Sequence, residues 1–254
     1  MYLHGFFPII LLGVMVLLKY LSVKPFAVIG HRGAAGRFPE NTLKAIEYAL
    51  GIGVDVVEVD ARATRDGMLV VFHDPDLKRL FGIDKKLCDL DYGWVRENLR
   101  LDGEYVPLLE EVLELVGGRA GLFIEIKEPE TTHRVVELVI EHGLVNDVAI
   151  ISFYDEALVE AKKVEPRITT GLIYFKPPGR IFDTRKLGAS IVLPRYNIAS
   201  EKANRLAHRL GLKIVVWTVN DRGIALEMVR RGVDGIASDY PDMLVDLRRE
   251  LGGE

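Results

Sequence analysis

Two histidines, three acidic residues and two cations fall at spacings in this sequence that suit attack on a phosphate ester. They lie in His31-Arg32-Gly33, Pro39-Glu40-Asn41-Thr42, Glu58-Val59-Asp60, His73-Asp74 and Glu125-Ile126-Lys127. Each piece sits at or just after the end of a segment that reads as a buried strand. Residues i and i+2 of a strand project to one face, so Glu58 and Asp60 point the same way while Val59 turns from them. Two like charges held so close call for a cation between them or a proton on one. Glu125 and Lys127 repeat the spacing on a later predicted strand that can lie beside the first. Neighbouring strands are about 4.8 Å apart, which lets Glu125 reach the same point. Three hard oxygen ligands without a thiolate favour Mg²⁺ or Ca²⁺ over Zn²⁺.

His31 and His73 flank this acidic cluster. An imidazole is poised near neutral pH, so the pair reads as a general acid and a general base. His4, His133, His142 and His208 fall in an apolar run or on helices and read as structural. Arg32 offers a planar fork to phosphate oxygens and Lys127 a compact charge. Gly33 to Gly36 let the chain approach a ligand closely or make a tight turn. Pro39-Glu40-Asn41-Thr42 reads as a helix start, with Asn41 or Thr42 as the cap.

The elements that must position these groups alternate. The sequence predicts strands at Phe26–Gly30, Val54–Asp60, Leu122–Lys127, Val148–Ser152, Thr169–Phe175, Ser190–Pro194, Lys213–Val219 and Gly235–Asp239. Helical patterns lie at Thr42–Leu50, Leu108–Val116, Thr132–His142, Glu156–Val164, Glu201–Leu210, Arg222–Arg230 and Pro241–Leu251; only Lys176–Leu187 is poorly helical. The strands are near-continuous hydrophobic runs, as expected where both faces of a parallel sheet are covered. Eight such strands predict a (β/α)₈ TIM barrel over residues 25–254. A doubly wound sheet is the alternative, but its glycine-rich G-x-G-x-x-G loop is missing at His31–Gly36.

Two segments break the alternation. Gly67–His73 follows an Asp66-Gly67 turn signal and reads as a hairpin return from the second strand. Residues 74–106 then lack a clean helix or strand, and their aromatics and leucines suggest a small cap over the C-terminal mouth of the barrel. At the other end, residues 1–24 carry an uncharged apolar run from Gly5 to Leu18. No basic residue precedes it and no small-x-small cleavage site follows. It reads as an N-terminal hydrophobic helix that anchors the chain in a membrane, with Lys19 snorkelling; a helix packed on the barrel is the alternative. Lys19 and Lys24 on its C-terminal side place the catalytic domain in the cytoplasm.

Formal net charge is −4 and no Lys/Arg-rich face stands out, which excludes nucleic acid as an expected partner. Cys88 is the single cysteine, so no intrachain disulfide forms, and it reads as a buried or inert thiol.

In order and spacing these motifs resemble the glycerophosphodiester phosphodiesterase family from about Phe26 to Leu247. Later matches are Ser152-Phe153, Trp217-Thr218-Val219-Asn220 and Ser238-Asp239-Tyr240-Pro241. The resemblance implies metal binding by Glu58, Asp60 and Glu125, acid–base catalysis by His31 and His73, and phosphate contacts from Arg32 and Lys127. It also implies that Trp217 lines the glycerol end of the substrate. The implied reaction releases an alcohol and glycerol 3-phosphate from a small glycerophosphodiester, with water or the substrate's own hydroxyl as nucleophile. One departure lies in the cap: Leu80-Phe81 stand where the family carries a polar pair. That apolar pair supports a second reading, a lysophospholipase D acting on lysophospholipids with the same residues.

Overall fold

The computed structural model describes residues 17–177 and 179–252. Eight parallel strands run in sequence order around a closed barrel: β1 (Ala27–Gly30), β2 (Val56–Ala63), β6 (Gly121–Ile126), β7 (Val148–Ser152), β8 (Thr169–Tyr174), β9 (Ile191–Pro194), β10 (Lys213–Val216) and β11 (Gly235–Ser238). Closure comes from β1, which pairs with both β2 and β11. The outer ring holds α2 (Leu43–Ile52), α5 (Leu109–Val116), α6 (Thr132–Glu141), α7 (Asp155–Val164), α8 (Ile181–Lys186), α9 (Glu201–Arg209), α10 (Arg222–Arg230) and α11 (Pro241–Glu250). The TIM barrel expected from the hydrophobic runs is therefore present. Helix α8 forms in the segment that reads as poorly helical, seated by buried Ile181 and Thr184.

Strand alternation divides the apolar residues into two cores. Val57, Val59, Leu122, Ile124 and their neighbours face outward under the helices. Val56, Phe123, Ile151, Ile173, Leu193 and Val215 face into the barrel. Along β2 the inward positions run Val56, Glu58, Asp60, and along β6 they run Phe123, Glu125. The interior thus changes from apolar to acidic toward the C-terminal ends of the strands. The chain's periodicity puts the charges at the end where barrel enzymes work.

The opposite end is closed by the chain itself. Helix α1 (Leu17–Tyr20) and the residue after it send Leu17 and Leu21 into the inner core, both fully buried. Tyr20 donates to Asp147 at 3.3 Å, and Lys213 Nζ donates to the Leu21 carbonyl at 3.2 Å. Gly121 makes room, since a Cβ there would lie 3.0 Å from the Tyr20 ring and 3.2 Å from Leu17. Burying two leucine side chains contributes roughly 3–6 kcal/mol. Leu17–Leu21 therefore plug this end of the barrel, in the stretch through which the expected anchor ran. The rest of the expected anchor, residues 1–16, lies outside the described residues. Among the described residues no helix is long and apolar enough to cross a membrane.

The hairpin return is β3 (Leu69–Val71), antiparallel to β2 with Arg62 opposite Val70. Residues 74–106 do form a cap with its own core, built on Val70, Phe72, Leu77, Leu87, Tyr92, Val95 and Leu99. The cap is more regular than its sequence suggests. It contains α3 (Lys78–Phe81), α4 (Tyr92–Asn98) and a ribbon of β4 (Arg100–Leu101) and β5 (Glu104–Tyr105). Asp102-Gly103 turns that ribbon with φ of 49° and 87°, the left-handed pair a tight two-residue hairpin requires. Cys88 is exposed at the cap surface, not buried.

Candidate active site

The register of β2 against β6 sets Asp60 beside Glu125 and Glu58 beside Phe123. One carboxylate oxygen from each of Glu58, Asp60 and Glu125 lies within 4.8 Å of the others, and all three residues are buried. Burial and the adjacent Asp60 carboxylate push Glu58 up to about 7. Burial raises Glu125 as well, with Lys127 opposing. Asp60 moves the other way: burial opposes its charge, but Lys127 and Arg32 outweigh burial and hold it well below the usual carboxylate range. Glu58 Oε1 is buried without a hydrogen-bond partner. An orphaned hard oxygen beside two more carboxylates fits a divalent cation taking oxygen ligands.

The two cations converge on the same cluster. Lys127 Nζ lies 2.9 Å from Asp60 and 2.5 Å from Glu125. Arg32 Nε lies 3.2 Å from Asp60, and its Nη1 donates to Glu40 at 2.8 Å. Arg32 adopts a left-handed backbone, φ 52°, in the turn after β1. That conformation is unfavourable for a residue with a Cβ. It is held by the Arg32 N–H donating to Glu58 Oε2 at 2.8 Å and by the Asn41 N–H donating to the Arg32 carbonyl at 3.1 Å. Gly33, at φ 79°, follows because α2 passes directly beneath: a Cβ there would meet the Ala45 backbone at 2.6 Å.

Both imidazoles are oriented by a carboxylate. His31 Nδ1 lies 2.6 Å from Asp239, which also accepts from Asn220 Nδ2 at 2.6 Å. His73 Nδ1 lies 2.6 Å from Asp74, and Arg62 Nε donates to the His73 carbonyl at 2.8 Å. A carboxylate on Nδ1 makes that nitrogen the donor and leaves the Nε2 lone pair to exchange protons. His31 Nε2 lies 3.9 Å from Glu58. The two rings differ in charge balance. For His31, burial is outweighed by Glu58 and Asp239, and the pKa rises. For His73, burial together with Lys127 and Arg32 outweighs Asp60 and Asp74, and the pKa falls.

All eight sequence-predicted residues border or build one cavity of about 160 Å³. His31, Arg32, Glu58, His73, Glu125 and Lys127 line it directly, while Asp60 sits behind them, pairing with Lys127 and Arg32. Apart from Thr218 the remaining lining is apolar, from Ile29, Phe123, Ile151, Ile173, Leu193 and Val215 out to Phe153 and Trp217. The Trp217 N–H is spent on the Leu193 carbonyl at 2.8 Å, and its ring meets Phe153 edge-on at 5.6 Å. Trp217 thus presents hydrocarbon to the cavity. Leu80 and Phe81 do not reach it; both pack on the cap core, and Phe81 stacks on Phe72 with centroids 6.2 Å apart.

Sequence reasoning missed several residues that hold this geometry. Asn41 is not the cap of α2, since Thr42 Oγ1 accepts the Ala45 N–H. Asn41 instead embraces Asp60, donating to Oδ2 at 2.8 Å and accepting its N–H at 3.3 Å. Glu40, Asp74, Asp239 and Asn220 likewise hold working groups: Glu40 accepts from Arg32, Asp74 and Asp239 meet the two imidazoles, and Asn220 donates to Asp239. The available signal was adjacency: Glu40 and Asn41 belong to the Pro-Glu-Asn-Thr piece, Asp74 follows His73, and Asp239 and Asn220 lie in strand-end motifs.

Residues 31–243 match the sequence profile of the Glycerophosphoryl diester phosphodiesterase family, and the chain belongs to that family. It is accordingly a phosphodiester hydrolase. Among curated relatives, a glycerophosphodiester phosphodiesterase of Caldanaerobacter subterraneus subsp. tengcongensis is 32% identical, covering 89% of this chain and 98% of its own length. A solved glycerophosphodiester phosphodiesterase of Thermotoga maritima superposes with a TM-score of 0.77 at 32% identity, covering 88% of this chain and 98% of that one. An Oleispira antarctica phosphodiesterase, solved with the product sn-glycerol-3-phosphate, gives 0.79 at 26% identity, covering 88% and 96%.

Proposed function

We propose that the chain cleaves small glycerophosphodiesters to glycerol 3-phosphate and an alcohol, with His31 and His73 as the proton-transfer pair. The observation that carries this reading is the convergence of three buried carboxylates between two carboxylate-oriented imidazoles, with Arg32 and Lys127 on the same wall. Glu58, Asp60 and Glu125 would hold Mg²⁺ or Ca²⁺, which when bound supplies Lewis-acid neutralisation of charge on the phosphodiester. Arg32 and Lys127 bind its non-bridging oxygens. One imidazole removes the proton from the nucleophile, either water or the substrate's own glycerol hydroxyl, and the other delivers a proton to the departing alkoxide; where the hydroxyl attacks, water then opens the cyclic phosphate to give glycerol 3-phosphate. Asp239 and Asp74 hold the rings and stabilise whichever is protonated.

A second reading, the same cleavage on a lysophospholipid, is favoured by the apolar lining around Ile173, Leu193, Val215 and Phe153, which offers few partners to glycerol hydroxyls. Choline release from glycerophosphocholine and from lysophosphatidylcholine, with Mg²⁺, with Ca²⁺ and with chelator, separates the two. Faster turnover of glycerophosphocholine is expected, and chelator should abolish it. Faster turnover of the lysolipid would establish the second reading, and no release from either would overturn both.

Residues 1–16 supply the membrane partner in this proposal, because the run is uncharged apart from His4 and strongly apolar. The packing of Leu17 and Leu21 at the barrel end opposite the catalytic mouth supports a tether on that side. The mouth then faces away from the tethering bilayer, toward substrates that arrive through water on the cytoplasmic side. The full-length chain should partition with membranes, resist salt extraction and be released by detergent; release by salt alone would sink the tether.

A further inference from the structure

We infer that Arg79, a cap residue, is a positioning residue for both halves of the catalytic site, joining the carboxylate that orients His73 to the carboxylate that holds Arg32. The inference rests on the hydrolytic reading above and adds a residue and a mechanical role to it. Arg79 sits on α3, just beyond the His73-Asp74 piece. Leu77, Leu80 and Phe81 turn toward the cap core and fix the short helix there. Arg79 leaves that core and spreads its guanidinium across the rim. Nε donates to Asp74 Oδ2 at 2.5 Å, while Nη1 and Nη2 take Glu40 Oε2 and Oε1 at 2.8 and 2.6 Å.

Each of those carboxylates already serves a group in the cavity. The second Asp74 oxygen is 2.6 Å from His73 Nδ1. Glu40 Oε1 also accepts from Arg32 Nη1 at 2.8 Å, and Arg32 continues to Asp60. One planar fork therefore spans two carboxylates, and through them a proton carrier and a phosphate ligand. A lysine has no such fork and can satisfy only one side at a time. Exposure shows where the effect must appear. Arg79 is half-exposed, its side chain 47% accessible, so its ion pairs add little to folding stability. Glu40 and Asp74 are mostly buried, at 14% and 16%, and their orientation passes directly to the site. The cap thereby reports its docking to the chemistry: when α3 is seated, His73 and Arg32 are both aimed.

The test uses the full chain with metal present, assaying glycerophosphocholine hydrolysis in wild type, R79A, R79K, D74N and E40Q. R79A should lower kcat by about 10–100-fold and raise KM several-fold, in line with other residues that hold a working group from outside. D74N should act mainly on kcat and E40Q mainly on KM, and R79K should recover one of the two but not both. In R79A/D74N the kcat loss should not exceed that of the worse single variant, because both break one linkage. A structural role would instead move the thermal midpoint, which should change little in R79A. A second readout needs no turnover: the downfield proton resonance of His73 Nδ1–H in its bond to Asp74 should weaken or shift in R79A. It should return in R79K if the introduced ammonium pairs with Asp74 rather than Glu40. Wild-type kcat and KM in folded R79A, fully additive losses in the double variant, or an unmoved His73 resonance would each overturn the inference. An inactive wild type would instead overturn the hydrolytic reading, leaving the resonance to decide the role of Arg79.

Discussion

Replacing His31 or His73 by alanine is expected to cut kcat on glycerophosphocholine by about 10²–10⁴-fold each, the usual contribution of a positioned acid or base. Affinity for the divalent cation should stay close to wild type in both. The expectation follows from where each ring sits. Both line the cavity, but each is tied through Nδ1 to its own carboxylate outside the acidic cluster, Asp239 for His31 and Asp74 for His73. Neither ring is needed to assemble Glu58, Asp60 and Glu125, which the β2–β6 register brings together. The double variant should lose little more than the worse single one, since removing either partner breaks the proton relay they share. Steady-state kinetics with metal titrations at several concentrations provide the check. Equal loss of metal affinity in both variants would move the histidines out of proton transfer and into the coordination shell.

Much of this site was legible because strand geometry is simple. A two-residue period puts Glu58 with Asp60 and Glu125 with Lys127, and hydrophobic runs on either side mark the strand that carries them. The barrel followed from the same runs. What the sequence hid depends on contacts between distant elements. Asp239 meets His31 across 208 residues, and Asn41 meets Asp60 across 19, in bonds no local pattern announces. The plug was hidden for a different reason. Leu17 and Leu21 are as apolar as a bilayer segment, and only the small residue at Gly121 and the space at the lower end of the barrel make protein their solvent. The cap was partly legible, since the Asp102-Gly103 pair carries the same turn signal as Asp66-Gly67 and marks the β4–β5 ribbon. Leu80-Phe81 misdirected the reading because apolarity does not say which way a side chain turns; Phe72 decides it.

Removing the divalent cation should abolish turnover and also reveal a pH-dependent loss of stability, and the sign of that dependence follows from Glu58. Burial and Asp60 raise its folded-state pKa to about 7, against roughly 4.3 in an unfolded chain. A carboxyl raised in this way stabilises the folded metal-free protein at low pH. That contribution is fully present below the unfolded value and is lost as pH climbs through about 7, at about 1.4 kcal/mol per pH unit over the interval. The cation binds only the ionised ligands and takes the place of the proton, so its stabilisation should be small near pH 5.5 and large near pH 8. Thermal melts of the full chain with excess Mg²⁺ or Ca²⁺ and with chelator, at both pH values, measure the difference directly. Glu58→Gln should stabilise the metal-free protein at pH 8, where wild type carries a buried charge, while weakening metal binding and reducing turnover by several orders of magnitude. Asp60→Asn is the contrasting case. Its carboxylate is held ionised by Lys127 and Arg32, so its removal leaves Lys127 paired with Glu125 alone and Arg32 with Glu40 alone, and should lower the melting temperature at every pH above the acid range. A cation effect that is the same at pH 5.5 and pH 8, or a Glu58→Gln variant that still binds metal as wild type does, would remove Glu58 from the coordination shell. The metal would then have to be held by Asp60 and Glu125 with groups outside this cluster.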